Sequence, residues 1–131
     1  MKTTRNWFAA ISALALMTLL SAGASPTKMH LHLLKAEPAA DSTIAQPPSV
    51  IRLQYSEAPQ AAASRIKVLN QTSGSEVAVG AAKADANDAR ILVAPVTGKM
   101  TAGKYSVVWR AMSNDGHVVR DSFHFVLKSD R

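Results

Sequence analysis

Tyr105-Ser106-Val107-Val108-Trp109-Arg110-Ala111 is the longest apolar run that follows the N-terminal segment of the 131-residue chain. A turn-forming stretch, 97–103, precedes this run, and the stretch that follows it, 118–127, alternates between apolar and polar side chains. In that second stretch Phe123 and Phe125 share one face, which is the pattern of a half-buried strand. The two stretches therefore predict two long β-strands.

Shorter alternating runs predict five further strands, bounded by residues that favour turns. These strands are 30–34, 50–55, 65–69, a short one marked by Val77 and Val79, and 90–93. The segments 37–42 and 83–88 are predicted as a turn and a polar loop, and no segment shows a sustained helical period. About seven short strands with regularly spaced turn signals predict an all-β sandwich of two antiparallel sheets. We expect Trp109 in the core between the sheets and Tyr105 capping a strand with its hydroxyl.

The N-terminal end of the chain has the composition of a secretory signal peptide. Lys2 and Arg5 form a basic start, an apolar segment 7–20 follows, and Ala22-Gly23-Ala24 is a small-residue cleavage motif. The apolar segment is too short to span a membrane comfortably. We expect residues 1–24 to be a signal peptide and residues 25–131 to form one domain of an exported protein.

Charge and cysteine content exclude several classes of function. The chain has 15 basic and 9 acidic side chains, a formal net charge of +6, and loss of Lys2 and Arg5 would lower it to about +4. The basic residues are scattered along the sequence without a cluster or an aromatic platform, so that nucleic acid is not expected as a partner. Because the chain has no cysteine, it must fold without disulfides and bind any metal without thiolate.

The segment Ser113-Asn114-Asp115-Gly116-His117 carries a carboxylate and an imidazole two residues apart. In an extended chain this spacing places both side chains on one face, about 7 Å apart. An oxygen and nitrogen donor pair favours a tetragonal cation such as Cu(II) over zinc or calcium. The opposing interpretation is that Asp-Gly only forms a hairpin turn and that the histidine has no role. Two further histidines, His30 and His32, share one face of the first predicted strand.

Five segments, taken in order along the chain, resemble the CopC/YobA family of periplasmic copper-resistance proteins. They are the strand that opens with His30, Glu37-Pro38-Ala39-Ala40-Asp41-Ser42, Ile51-Arg52-Leu53-Gln54-Tyr55-Ser56-Glu57, Ala102-Gly103-Lys104-Tyr105-Ser106-Val107-Val108-Trp109-Arg110, and Ser113-Asn114-Asp115-Gly116-His117. The resemblance covers essentially all of residues 25–131. Its most specific part is the Trp-Arg pair followed by Ser-x-Asp-x-His.

This resemblance implies a cupredoxin-like or immunoglobulin-like Greek-key sandwich that binds Cu(II) at one end. In the family, the ligands are the ring and the free amine of an N-terminal histidine together with the Asp and His of the Asp-x-His motif. On the matching positions here these residues are His30, Asp115 and His117, with Glu57 as a neighbour of the site. Some members also carry a Met-rich loop for Cu(I), whereas 74–88 contains no methionine, so that we expect no Cu(I) site.

The expected cleavage site departs from the family pattern. Cleavage after Ala24 leaves five residues ahead of His30, which removes the amine from its place beside the ring. His32 lies on the same predicted strand face and is expected to supply the missing ligand. The predicted metal ligands are therefore His30, His32, Asp115 and His117. Met29 is a softer thioether that would suit Cu(I) better.

Two other residues are interpreted as lying outside the ligand set. His124 alternates with Ser122 and Val126 on the last strand and is predicted to be an exposed strand residue. Arg110, beside Trp109, is predicted to support the site or to form a surface ion pair.

The leading hypothesis is a non-catalytic, monomeric periplasmic protein that carries or buffers Cu(II) in copper resistance and homeostasis. Delivery to a CopD-like inner-membrane copper transport protein is one route by which it would act. The alternatives are a copper mono-oxygenase with a histidine brace, and a metal-free interaction sandwich. A mature chain of about 107 residues with few aromatic residues offers little surface for a polysaccharide, which argues against the mono-oxygenase.

Overall fold

The computed structural model describes residues 30–129, which form two packed β-sheets and one short 3-10 helix. The strands of this described part are β1 Leu33–Glu37, β2 Ser42–Ile44, β3 Val50–Tyr55, β4 Arg65–Asn70, β5 Glu76–Val77, β6 Lys83–Ala84, β7 Ile91–Pro95, β8 Gly103–Met112 and β9 Val118–Leu127. The 3-10 helix is Ala61–Ala63, between β3 and β4. A sheet in the order β1-β3-β7-β6 packs on a sheet in the order β2-β9-β8-β4-β5. The predicted all-β sandwich is confirmed.

The core lies between the sheets because alternate side chains of each long strand point inward. On β9 this face carries Phe123 and Phe125, both buried, as the alternation predicts. Trp109 of β8 is 3% exposed, and its ring meets the edge of Tyr55 from the other sheet, with centroids 5.3 Å apart and planes at 72°. Edge-to-face aromatic pairs add to the free energy of burial. This contact therefore joins the two sheets at the centre of the core.

The hydroxyl of Tyr105 closes the turn that leads into β8. It donates to the carbonyl oxygen of Thr101 at 2.6 Å and accepts from the amide of the same residue at 2.9 Å. The side chain is buried, and its ring stacks on that of Phe125 at 5.5 Å. The predicted strand-capping role of this hydroxyl is confirmed.

The first strand begins at Leu33 and not at His30, so that the predicted bounds 30–34 are wrong. Residues 30–32 are extended, but the amide of His32 donates to the Ser56 hydroxyl at 3.1 Å instead of to a backbone carbonyl. An irregularity in the pairing with β3 follows between Leu33 and Lys35. The alternation of the sequence indicates an extended chain, but it does not reveal where regular pairing begins.

Two short strands lie where the sequence predicts irregular chain. β2 begins at the end of the predicted turn 37–42, and it pairs with β9 in parallel, so that this sheet is not purely antiparallel. β6 falls inside the predicted polar loop 83–88 and pairs with β7. Both strands have three residues or fewer, and such short runs carry too few side chains for alternation to be recognised.

Three parts of the chain meet at one end of the sandwich. The ladder between β8 and β9 runs from Gly103 opposite Leu127 to Met112 opposite Val118, and the loop 113–117 joins the strands at that end. The extended lead-in to β1 and the residues that follow β3 lie at the same end. Within residues 30–129, no helix has the length and apolar character needed to cross a membrane.

Candidate metal centre

The loop 113–117 is a tight hairpin connection whose backbone is closed by its own hydrogen bonds. The amide of Ser113 donates to the carbonyl oxygen of His117 at 2.8 Å, and the amide of Gly116 donates to the carbonyl oxygen of Ser113 at 3.0 Å. Gly116 has a φ of 87°, a conformation that glycine adopts without the strain of a side chain. The Asp-Gly turn interpretation is thus correct for the backbone, and the side chains on either side of this glycine are left to form a site.

Asp115 is held in place by both of its polar neighbours in the loop. Its Oδ1 accepts a short hydrogen bond from the hydroxyl of Ser113 and a bond of 3.2 Å from the amide of His117. The hydrogen bond from the Ser113 hydroxyl, and next the one from the His117 ring, hold the pKa of Asp115 well below its usual range. The carboxylate is therefore ionised at neutral pH and able to bind a cation.

His117 and Asp115 form a close donor pair. The Nδ1 of His117 lies 2.8 Å from the Oδ2 of Asp115, and the two side chains are 61% and 45% exposed. Two neighbouring ligands at right angles around a first-row metal, each about 2.0 Å from it, lie about 2.8 Å apart. At that separation the ring and the carboxylate are hydrogen-bonded to each other, so that an ion bound to both atoms would displace the proton between them. The exposed side chains leave the pair open to an ion arriving from solvent.

A cavity of about 280 Å³ lies over this pair, and it is lined by residues that are distant in the sequence. Its lining includes His30, Glu57, Asp115 and His117, with Ser113 and Leu31 at its base. His30 reaches it because Leu31, the next residue, is 2% exposed and anchors the lead-in to the core. Three of the four predicted ligands therefore share one cavity, together with the glutamate that follows β3.

His32 is the predicted ligand that does not line this cavity. The extended chain alternates around buried Leu31, so that His30 and His32 are both exposed, as predicted. However, the Nδ1 of His32 donates to the carbonyl oxygen of His30 at 2.9 Å, and its backbone is paired with Ser56 beside β3. Its Nδ1 is thus occupied within the lead-in, and the lining of the cavity does not include it.

The donors fit a copper ion in kind, and they are only partly assembled. Imidazole nitrogen and carboxylate oxygen suit Cu(II), and no thiolate is needed. Among residues 30–129, no three histidine, aspartate or glutamate side chains yet converge on one point. Asp115 and His117 are the preformed part, and His30 or Glu57 must move within the cavity to join them. Met29 lies outside the described residues.

Two residues that support the site were not singled out from the sequence. Ser113 is 4% exposed and its hydroxyl positions Asp115; a serine two residues before an aspartate in a turn is the signal that indicates this role. Gln60 donates from its Nε2 to the carbonyl oxygen of Ser113 at 2.9 Å and from its amide to Met112 at 2.8 Å. No local pattern indicates Gln60, since its partners are more than fifty residues away.

His124 and Arg110, the two residues predicted to lie outside the ligand set, do not line the cavity. His124 projects from the outer face of the five-stranded sheet, opposite Ser106. It is half-buried, so the predicted exposed position is wrong, and its Nδ1 is buried without a hydrogen-bond partner among the described residues. Arg110 donates to the carbonyl oxygen of Ala63, and no carboxylate of the described chain lies within ion-pair distance of it. The predicted surface ion pair of Arg110 is therefore wrong for this part of the chain.

Comparison with protein families and sequences gives a consistent result. Residues 33–128 match the family model described as the CopC domain. Copper resistance protein C of Pseudomonas syringae pv. tomato is 34% identical over 119 residues, which cover 86% of this chain and 94% of that protein. Protein YobA of Escherichia coli strain K12 is 28% identical over 99 residues, which cover 76% of this chain and 79% of that protein.

Solved structures with the same architecture come from copper proteins. The crystal structure of CopC from Methylosinus trichosporium OB3b has a TM-score of 0.70 at 28% identity, covering 78% of this chain and 97% of that one. PcoC, a methionine-rich copper resistance protein from Escherichia coli, has a TM-score of 0.66 at 31% identity, covering 76% and 99%. In contrast to that description, residues 30–129 of this chain contain two methionines, Met100 before β8 and Met112 at its end.

Proposed function

Because the chain belongs to the CopC domain family, we propose that it binds one Cu(II) ion at the hairpin end of the sandwich and carries or buffers copper in the periplasm. Family membership makes it a copper-resistance-related protein and not an enzyme. Beyond this we propose that the ion is Cu(II), that its ligands lie at the hairpin end of the sandwich, and that the protein carries or buffers it. Its principal support is the Asp115–His117 pair, whose donor atoms are 2.8 Å apart in a cavity that His30 also lines.

The proposed ligand set starts from His30, Asp115 and His117. The fourth donor is either His32, as the sequence predicts, or Glu57. We favour Glu57, because its side chain already lines the cavity, whereas the Nδ1 of His32 is engaged by the carbonyl oxygen of His30. A second carboxylate suits Cu(II), because tetragonal Cu(II) sites take nitrogen and oxygen donors.

The proposed role is transport or storage because the site is open. The exposed faces of Asp115 and His117 allow an ion to enter and to leave without unfolding of the core. A partner that offers further ligands can therefore take the ion from the cavity, and a CopD-like inner-membrane transport protein is the proposed recipient. A periplasmic location agrees with the signal peptide predicted for residues 1–24.

Copper titration of the mature protein tests this function. Competition with a chromophoric chelator should give one Cu(II) per chain, with Zn(II) bound more weakly because the site offers O and N donors in a tetragonal arrangement. Glu57→Gln should weaken Cu(II) binding more than His32→Ala does. Binding of Zn(II) in preference to Cu(II), or no binding of either ion, would contradict the proposed function.

A further inference from the structure

Three arginines that are far apart in the sequence form one row across the outer face of the five-stranded sheet. Arg65 of β4 pairs with Arg110 of β8, and Arg110 pairs with Arg120 of β9. Directly opposite residues of neighbouring strands project from the same face, with Cβ atoms about 5 Å apart. The fold therefore brings together three basic residues that are scattered in the sequence, and these three form the arginine row.

Like charges placed directly opposite one another destabilise a sheet. Among the described residues, no carboxylate lies within 4 Å of Arg65, Arg110 or Arg120. The other sheet shows the contrasting arrangement, because Arg52 lies 3.2 Å from Asp85 and 3.9 Å from Glu37. The arginine row is thus left uncompensated in a protein that neutralises a comparable arginine elsewhere.

The rest of this outer face has the same sign of charge. Lys67 projects from it beside Arg65, Lys104 projects from it at the far end of β8, and Glu76 is the acidic side chain that the described strands of this sheet place there. Glu76 lies 3.5 Å from Lys67 and not near the arginines. A surface with this charge attracts negatively charged partners and raises the rate at which they associate.

Two members of the row are fixed in position by backbone carbonyls. Arg65 donates from its Nη1 to the carbonyl oxygens of Ala62 at 2.9 Å and Ser64 at 2.7 Å, and Arg110 donates to Ala63. Each guanidinium has five N–H donors in a rigid fork, so these bonds orient the group while leaving donors for a further partner. Preorganised groups lose less conformational entropy when a ligand binds.

The arginine row adjoins the candidate metal centre. The carbonyls that hold the arginines belong to the 3-10 helix and the residue after it, and Gln60 at the start of this helix bonds to Met112 and Ser113 of the hairpin. Arg110 and Arg120 each stand two residues from the last pair of the ladder before the loop. A partner on the row would therefore lie beside the opening of the cavity.

We propose that the arginine row docks an acidic segment of a partner protein, whose carboxylates pair with Arg65, Arg110 and Arg120. The planar fork of arginine matches a carboxylate through two parallel hydrogen bonds. An anionic membrane suits the surface less well, because membrane-binding surfaces also insert several apolar side chains, and few are exposed on this face. Beside the row, Val118 is a large apolar side chain that is 36% exposed, whereas Lys67, Val108 and Ser122 offer none.

The test measures binding of fluorescein-labelled hexaglutamate to the metal-free mature protein by fluorescence anisotropy at low ionic strength. Arg120→Gln should weaken binding by about threefold, and Arg65→Gln combined with Arg120→Gln by about tenfold, which is the range for exposed ion pairs. These two arginines are exposed, and Arg110, which holds Ala63, is left intact. Arg52→Gln removes the same charge from the other sheet and should leave the affinity within about twofold.

Several results would overturn this proposal. Equal losses from Arg52→Gln and Arg120→Gln would show that only net charge matters. Absence of binding to both hexaglutamate and phosphatidylglycerol vesicles would show that the row has no acidic partner. Binding to the vesicles without binding to the peptide would show that the partner is a membrane. Copper titration and hexaglutamate binding of the wild-type protein separate the two proposals. Binding of hexaglutamate without copper would contradict the proposed function alone, and binding of copper without hexaglutamate would contradict the arginine row alone.

Discussion

The imidazole of His117 lies 2.8 Å from the carboxylate of Asp115 at the tip of the hairpin that joins β8 to β9. The pair is fixed by Ser113, a buried residue at the end of β8 whose hydroxyl donates to Asp115. The core of the sandwich thus sets the position of two candidate metal donors through one serine. The geometry of a metal site here depends on the hairpin more than on the lead-in that carries His30.

Asp115 should remain ionised to an unusually low pH. The hydrogen bond from Ser113, and then the ring of His117, lower its pKa in the folded protein. Its contribution to stability is therefore fully present above the unfolded value of about 3.9 and is lost as the pH falls through the lower folded value. Carboxyl carbon NMR of the metal-free protein should show that Asp115 titrates below the ordinary aspartate value of about 3.9.

Ser113→Ala should raise the pKa of Asp115 towards the ordinary value, because it removes the main cause of the shift. Ser122→Ala, on the outer face of β9, is the matched control and should leave that pKa unchanged. A wild-type Asp115 that titrates at the ordinary aspartate value, or a shift of equal size in both serine variants, would contradict this role of Ser113.

Asp115→Ala and His117→Ala should each weaken Cu(II) binding by about tenfold or more, a change of about 1.4 kcal/mol for each factor of ten. Each substitution removes one half of the donor pair at the tip of the hairpin. His124→Ala is the histidine control, because this side chain lies on the outer face of the sheet opposite Ser106. Equal losses in all three variants, measured by chelator competition, would place the copper site elsewhere.

The N-terminus decides how much His32 matters. If the signal is cut after Ala24, two imidazoles of the lead-in are available, and His32→Ala should weaken Cu(II) binding, but less than Glu57→Gln does, because Glu57 lines the cavity and His32 does not. If the chain begins at His30, the amine and ring of that residue form a chelate and His32→Ala should have little effect. The comparison is between protein that starts at Ser25 and protein that starts at His30, after the intact mass of the exported form is known.

Tighter binding by the shorter protein, lost when its N-terminus is acetylated, would show that the amine is a ligand. That result would contradict the predicted His30 and His32 pairing. It would leave the roles of Asp115 and His117 unchanged.

Two buried tyrosines should respond in opposite ways to loss of the hydroxyl. Among the described residues the Tyr55 hydroxyl has no hydrogen-bond partner, and burial raises its pKa, so Tyr55→Phe should leave the free energy of unfolding unchanged or slightly higher. Tyr105→Phe breaks two hydrogen bonds to Thr101 and should lower it by about 1–3 kcal/mol. Urea denaturation measures both, and a larger loss from Tyr55→Phe would contradict the hydrogen-bond assignment.

The fold was predictable where strands are long enough for their side chains to alternate visibly. β8 and β9 have ten residues each, and the buried positions of Phe123, Phe125 and Trp109 follow from the sequence. β2 and β6 were missed because two or three residues do not define a period. The parallel pairing of β2 with β9 depends on tertiary packing, which no local pattern encodes.

The candidate site was predictable in part for the same reason. Asp115 and His117 are neighbours in the sequence and come together in the turn. Glu57 and His30 join them only through the packing of β1 against β3. Alternation alone placed His32 beside His30, and it could not show that the Nδ1 of His32 bonds within the lead-in or that the cavity is lined without this residue. The arginine row was not foreseen, because its members lie on three strands and meet only through the register of the sheet.

Electron paramagnetic resonance of the mature protein with one equivalent of Cu(II) tests the central claim most directly. We expect a single tetragonal Cu(II) species with nitrogen and oxygen ligands, since the chain offers imidazole and carboxylate and has no cysteine. This species should give way to the spectrum of aqueous Cu(II) as the solution is made acidic, because protons compete with the metal for the imidazole nitrogens. A spectrum of free aqueous copper at neutral pH, or a bound species without nitrogen couplings that persists to pH 5, would contradict the account.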